Sequence, residues 1–431
     1  MRTNKYSLKN YFKISRFDRG IINNALSFLI VGLCGLILNV LILYFYNLET
    51  LGIFNQAFAI YVIISQLANF GLYYSVLNVS SDVNINSQQK IDSIFSALIL
   101  GILISIPVIL VALNFIDNII YYFNSRPLGK SIEIGCYALV FFSGNKVLIA
   151  GLNGLGRVSL VAFFNALRPS LIIIVLIIAV LSKVQGQYLF VVFFFSELFL
   201  FTFLLWYYLS KEKLPNPHKV LTHIITHITF GSKSVLNALL VEFNPKVDIL
   251  LIGFYFNDEI AGAYSIAAMI IEGINQIPQI FMINLNQRLS TLYKKNKNDL
   301  LSKLITNTKN NIFFIMFICL FLSNFILYSC LSNFIDSYEI YNSIINFHLT
   351  LSIGILSFSG YYPLQMIFNQ NSYPGYYSFF LSSCLLFNLT FSIILIKYYS
   401  YYGIAIGTAL TNVIAIIILK YICKNQLNIK F

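Results

Sequence analysis

Charge is what this 431-residue chain has least of: Asp, Glu, Lys and Arg together make up 10% of it. A soluble domain carries about a quarter, so an ordinary water-soluble globular class is excluded. Acids are the scarcer sign, with 16 Asp and Glu against 28 Lys and Arg, a net charge of +12. No aromatic-interleaved basic patch accompanies that excess, so nucleic acid is not an expected partner. Cysteine is sparse: Cys34, Cys136, Cys319, Cys330, Cys384 and Cys423 form no CxxC pair. All lie in or at the ends of apolar segments, which excludes a disulfide framework and a thiolate metal site. There is no GxxxxGKS/T loop, so ATP hydrolysis is not suggested. Nucleophile-elbow and Cys/His arrangements are also missing, and the sequence does not read as an enzyme.

What is there is apolar, at 58% of residues. A charge at mid-depth in hydrocarbon costs ~2.5–3.5 kcal/mol, which explains the scarcity above. A helix needs ~20 apolar residues to cross a ~30 Å core. Twelve segments qualify, at about 22–46, 53–77, 93–115, 132–152, 158–182, 187–209, 231–254, 261–284, 311–331, 343–367, 376–396 and 403–422. The expected fold is all-α: a polytopic membrane protein of about 12 transmembrane helices. The first run, Ile21–Tyr46, is too long for a signal-peptide core and reads as an uncleaved span.

With the N-terminus inside, 21 Lys and Arg fall on the inner side and four on the outer, with Lys146, Arg168 and Lys246 left within spans. That asymmetry places both termini in the cytoplasm. The outer connections are short, the longest at about 116–131. The inner connection 285–310 is the longest between two spans of one half.

Residues 40–54, VLILYFYNLETLGIF, recur 210 positions later as LLIGFYFNDEIAGAY, residues 250–264. The shared punctuation is Asn-x-Glu-x-x-Gly: Asn47/Asn257, Glu49/Glu259 and Gly52/Gly262. Six spans separate the copies. Both halves therefore enter the membrane in the same direction, as a parallel repeat. The expected organisation is a basic N-terminus (1–20), a six-helix bundle (21–209), a linker (210–230), a second six-helix bundle (231–422) and a tail (423–431). The two bundles would enclose a central cavity. In the linker, Leu221, Ile224, Ile225 and Ile228 share one face, which predicts a helix lying on the inner membrane surface.

Four stretches carry a family likeness. LGIFNQAFAIYVIISQLANFGLYYSVLNVSSD (51–82) resembles the second span and following loop of the polysaccharide-transporter branch of the multidrug/oligosaccharidyl-lipid/polysaccharide exporter superfamily. LNGLGRVSLVAFFNALRP (152–169), VDILLIGFYFNDEIAGAYSIAAMIIEGINQIPQIFMINLNQRLS (247–290) and YYGIAIGTALTNVI (401–414) resemble its fourth-to-fifth junction, the start of its second half and its last span. The resemblance implies a flippase of undecaprenyl-diphosphate-linked oligosaccharides for O-antigen or capsule/exopolysaccharide, in the bacterial inner membrane. It implies no cofactor, a proton or sodium gradient as the driving force, and a polysaccharide polymerase and chain-length regulator as partners. A multidrug/cation antiporter of the same superfamily is the alternative. Many such exporters carry a first-span carboxylate, and residues 22–46 contain none. The peptidoglycan-precursor flippases usually have two further C-terminal spans. A membrane polymerase or ligase is the rival of another class, but the short outer loops leave little room for a catalytic surface.

The intramembrane charges are the candidate site. Arg168 sits ~15 Å into its span by helical rise, too deep to snorkel. It either binds diphosphate in fork geometry or pairs with Glu197. Lys146 and Lys246 are further diphosphate candidates, though Glu242 at i−4 offers Lys246 an intrahelical pair. His348 is a candidate hydrogen-bond donor in the cavity or a packed polar residue. Glu197, Glu272, Glu242 and Asp248 are the coupling candidates, since gradient-driven transport needs titratable groups. Pro245 and Pro278 are expected to break or hinge the seventh and eighth spans. His223 and His227, spaced i, i+4, read as interfacial histidines on a polar face, with no metal expected.

Overall fold

The structure, a computed structural model, describes residues 16–212, 214–216, 221–294, 298–333, 335, 337–365 and 374–427. Every regular element among them is helical. The N-terminal half comprises α1 (Arg16–Phe45), α2 (Leu48–Asn69), α3 (Leu72–Ser81), α4 (Ser87–Asn114), α5 (Ile116–Phe123), α6 (Arg126–Gly154), α7 (Val158–Leu181) and α8 (Val191–Lys211). The C-terminal half comprises α9 (Ile224–Phe243), α10 (Val247–Tyr255), α11 (Asp258–Ile274), α12 (Gln276–Lys294), α13 (Asn298–Cys330), α14 (Tyr338–Ser359), α15 (Pro374–Tyr399) and α16 (Tyr402–Leu427).

Among the described residues, ten helical stretches are long and apolar enough to cross a membrane. The first and seventh expected spans fall outside that set, although α1 itself is 30 residues long. The apolar helix described at the first is Leu29–Phe45, and the seventh is cut by a 3₁₀ turn at Asn244–Lys246. Apolar side chains on the outer faces stay uncovered, among them Leu103 (56% exposed), Phe321 (66%) and Ile394 (54%). In water such a surface would aggregate; in lipid it is the solvent-facing side. The chain is a multi-pass membrane protein.

The sequence repeat is a repeat of geometry. Asn47 and Asn257 are both N-caps in extended conformation, and each side chain accepts the backbone N–H three residues on, at 2.8 Å. Such a cap satisfies one of the first-turn donors a helix leaves open. Gly52 and Gly262 lie where α2 crosses α11. A Cβ on Gly52 would overlap the carbonyl oxygen of Asp258, and one on Gly262 would overlap that of Leu48. Each glycine thus meets the other half's helix start, at positions related by the same 210-residue offset. Backbones approach this closely only where side chains are absent.

Packing divides unevenly along the membrane normal. At the Asn47/Asn257 end, one apolar cluster runs through both halves, joining Leu51, Phe54 and Phe190 to Ile252, Tyr264 and Phe347. At the opposite end the halves have separate cores. One contains Ile94, Leu148 and Leu204, and the other Leu301, Phe380 and Leu419. The halves share one apolar core at one end; at the other their cores are separate, and α9 bridges them through its contacts with α2 and α3.

The second, seventh and eighth spans are interrupted. The second breaks at Phe70 and Gly71, both left-handed at φ 49° and 68°. A Cβ on Gly71 would lie 2.8 Å from the carbonyl oxygen of Gly231, so this break is also a contact with α9. In the seventh, Pro245 sits inside the 3₁₀ turn. In the eighth the break is at Asn275, and Pro278 lies buried in the first turn of α12. Its ring excludes the carbonyl four residues back, which belongs to Ile274, the last residue of α11.

Two expectations need correction. The linker does not form a separate surface helix within the described residues. Leu221–His223 is a 3₁₀ turn leading directly into α9. Ile225 is exposed, but His227 is fully buried, with Nδ1 2.8 Å from Ser75 Oγ and Nε2 3.0 Å from Ser93 Oγ. Two hydroxyl partners in the N-terminal half draw that turn inward, which a single-helix pattern does not reveal. The 285–310 connection is not a loop either. α12 runs to Lys294 and α13 starts at Asn298, because hydropathy marks the hydrocarbon and not the helix end.

Candidate substrate path between the halves

The middle of α2 organises the polar interior. Phe58 and Tyr61 lie between the crossings at Gly52 and Gly71, which are about 28 Å apart by helical rise. Tyr61 packs on Phe142, Phe190 and Phe193, with centroids 5.8, 5.6 and 5.5 Å away. Phe142 in turn lies beneath two cations: Arg168 at 4.9 Å and Lys146 at 5.4 Å from its centroid. Phe58 carries Lys246 of the other half at 5.6 Å. An aromatic floor under three intramembrane cations partly replaces their lost water.

Arg168 is ion-paired with Glu197. Its Nε donates to Glu197 Oε1 at 2.6 Å, and Nη2 contacts the same oxygen. Asn145 Nδ2 donates to Glu197 Oε2 at 2.8 Å. The Glu197 side chain is fully buried, and the Arg168 side chain is 27% exposed. Both carboxylate oxygens are therefore occupied by donors. Of the two roles open to Arg168, the structure shows the pair.

Lys246 does not use Glu242. The 3₁₀ turn between them changes the register, and Lys246 Nζ bonds Glu272 Oε1 of α11 at 2.9 Å instead. Glu272 therefore has a cationic partner that its own span did not contain. Glu242 stays half-buried, close enough to act electrostatically on Lys146, Arg168 and Tyr74 of the N-terminal half. Lys146 is half-buried and has no ion pair among the described residues. It is the intramembrane cation free to meet an anion.

Asp248 is of another kind. It is 5% exposed and accepts from Tyr264 Oη at 2.6 Å, Thr408 Oγ1 at 2.6 Å and Asn388 Nδ2 at 3.0 Å. All three donors are neutral. An ionised carboxylate so buried is costly without a compensating positive charge, and these three partners of Asp248 supply none. His348 lies away from the space between the halves. It is fully buried, with Nδ1 2.9 Å from Asn324 Oδ1 on α13, and the structure places it in the packed interior of the C-terminal half.

Sequence reasoning passed over several of these residues. Phe142 and Asn145 are two of them: they stand at i and i+3 of the helix that carries the expected Lys146 at i+4, a spacing that puts ring and ammonium on one face. That signal was present. Gln56 and Ser125 gave none. Their side chains donate to Asp258 Oδ1 and Oδ2, each at 2.7 Å, and fasten the sealed end across the halves.

The sequence profile of a family described as Polysaccharide biosynthesis protein matches residues 17–284. No curated protein matches the sequence. Among solved structures, the inward-facing conformation of a multidrug resistance MATE family transporter of the MOP superfamily superposes with a TM-score of 0.79 at 13% identity, covering 93% of this chain and 94% of that one. Lipid II flippase MurJ, in an inward closed conformation, gives 0.75 at 16% identity, covering 94% and 88%. The outward-facing conformation of a multidrug resistance MATE family transporter gives 0.64 at 13% identity, covering 95% of each. At these identities the likeness is one of fold.

Proposed function

The chain belongs to the polysaccharide biosynthesis protein family, and from that premise we propose that it flips undecaprenyl-diphosphate-linked oligosaccharide repeat units, for O-antigen or for capsule and exopolysaccharide, across the bacterial inner membrane. The observation that carries this reading is Lys146. A half-buried lysine without an ion pair among the described residues, beside a partly exposed arginine side chain and over an aromatic ring, suits a membrane-borne diphosphate. Arg168 contributes positive field from the position Glu197 holds it in. Glu242 on the opposite half is the anion that the diphosphate displaces from the field of Lys146. The lipid tail stays in the bilayer while the head group passes between the halves.

Alternating access fits the uneven packing. The end bearing Lys211 and the linker is the cytoplasmic one by the charge count, and there the two cores are separate. This conformation is then inward-facing, in keeping with its closer superposition on the inward-facing relative. Outward opening would break the continuous cluster and the Gln56–Asp258–Ser125 clasp. Asp248 is the coupling carboxylate, binding a proton or sodium ion whose occupancy changes as α10 and α16 move. Lys246 and Glu272 neutralise one another at the face of the path.

Deleting the gene tests the reading. The expected result is loss of surface polysaccharide with lipid-linked repeat units still made inside the cell. Altered drug sensitivity with intact polysaccharide would instead support the antiporter.

A further inference from the structure

Outside this path, two lysines of the C-terminal half converge on one ring. Lys309 of α13 and Lys420 of α16 place their ammonium groups 5.4 and 5.1 Å from the centroid of Tyr361. Tyr361 follows Gly360, the C-cap of α14. A Cβ at Gly360 would lie 2.6 Å from Lys309 Cγ and 2.9 Å from its carbonyl oxygen, so the absent side chain is what lets the lysine stem dock. Neither lysine has an ion pair among the described residues, whose four salt bridges lie elsewhere.

Unpaired lysines ordinarily extend into water, away from like charge. Here two converge, separated by no more than about 10.5 Å. The C-terminus of α14 supplies roughly half a negative charge, too little to neutralise both. The surroundings say where the missing anion comes from. Next to Lys420, Tyr421 is 67% exposed and Ile417 63%; beyond Lys309, Phe313 is 46% and Phe314 65% exposed. The pair sits where a lipid-facing apolar surface meets the aromatic edge of the cluster holding Phe358 and Leu419. That is head-group depth.

We infer that Lys309, Tyr361 and Lys420 form a binding site for the phosphate of an anionic membrane phospholipid, clasping α13, the end of α14 and α16 at one end of the C-terminal half. Each ammonium donates to a phosphate oxygen at about 2.8 Å, and the tyrosine ring holds both lysines ready. The acyl chains lie on the exposed apolar faces of α13 and α16. The site is separate from the Lys146 region, and the inference does not depend on what the protein transports.

The test titrates phosphatidylglycerol into the full-length protein held in phosphatidylcholine nanodiscs, with retained lipid counted by native mass spectrometry. The double substitution Lys309→Gln with Lys420→Gln is expected to weaken phosphatidylglycerol binding by about 30-fold, equivalent to about 2 kcal/mol for two lysines. Lys309→Arg with Lys420→Arg should retain it, which guards against misfolding of the glutamine variant. Lys303→Gln with Lys424→Gln removes two exposed lysines that are not on the ring and should leave it unchanged. Equal loss in that control would mean a diffuse surface potential and overturn the site. So would unchanged binding in the glutamine pair. Displacement of the lipid by excess inorganic phosphate would overturn the assignment to a lipid head group.

Discussion

Gly52 and Gly262 make the same contact in opposite directions: each lies against the first-turn backbone of the helix that bears the other, Gly52 on Asp258 and Gly262 on Leu48. The offset between partners equals the offset of the sequence repeat. This crossing is therefore the local axis of the molecule, and its neighbours Gln56, Ser125 and Asp258 make it a clasp that is not itself symmetric.

Alanine at either glycine should loosen the sealed end. A methyl group facing backbone carbonyls has no flexible neighbour to displace, and overpacking of this kind costs about 1–3 kcal/mol. Gly52→Ala and Gly262→Ala should each lower the thermal midpoint of the purified protein. The double variant should fall short of the sum, because both relax the same crossing. Wild-type melting in either single variant would contradict the crossing.

Arg168 and Lys146 should separate stability from transport. Arg168→Ala leaves Glu197 buried without its cation, a loss of about 3–5 kcal/mol, and should reduce the amount of protein in the membrane. Adding Glu197→Gln should restore that amount. Lys146→Ala leaves no ion partner behind, so the protein level should hold while transport is abolished. Transport normalised to membrane protein distinguishes the two. Active Lys146→Ala protein would remove the main support for the diphosphate contact.

Asp248→Asn should uncouple the protein. Asparagine keeps the shape but cannot gain or lose the charge that an ion gradient acts on. Everted membrane vesicles loaded with lipid-linked substrate should show gradient-stimulated uptake in the wild type and none in the variant. Thr408→Val and Asn388→Leu each remove one donor and should reduce the stimulation in part. A variant that still responds to both proton and sodium gradients would place coupling elsewhere.

Cross-linking should report the two ends independently. Ser125→Cys with Asp258→Cys joins the halves at the sealed end, and Ser75→Cys with His227→Cys joins them at the other. A short thiol-reactive cross-linker should stop transport in either pair, and in neither single cysteine variant. Continued transport in the cross-linked Ser125/Asp258 pair would mean that this clasp does not open.

Labelling fixes orientation. Glu49 and Glu259 lie in the equivalent first turns of α2 and α11 and are both exposed, whereas Lys211 ends α8 at the opposite face. Cysteines at Glu49 and Glu259 should react with an impermeant reagent applied to intact cells, and a cysteine at Lys211 should not. The reverse pattern would invert the topology.

The sequence by itself determined what local chemistry and composition can determine. Scarce charge and twelve apolar runs specified a helical membrane protein. Asn47 and Asn257 specified two equivalent helix starts, because a cap acts on its own next three residues. Gly52 and Gly262, at one repeat offset, marked the crossing without saying what they touch. Tertiary structure decided the partners of the charges. Glu242 and Lys246 have the spacing of a helical pair, but the turn at Asn244–Lys246 rotates one against the other, and Glu272 on another helix takes the lysine. Whether Arg168 met Glu197 or open space depended on how α7 packs on α8. His227 looked interfacial until Ser75 and Ser93, more than 130 positions away, enclosed it. A pattern along one helix records which face is apolar. Which helix comes to lie against that face is settled by close packing across the whole bundle, and there the pairing of buried charges is fixed.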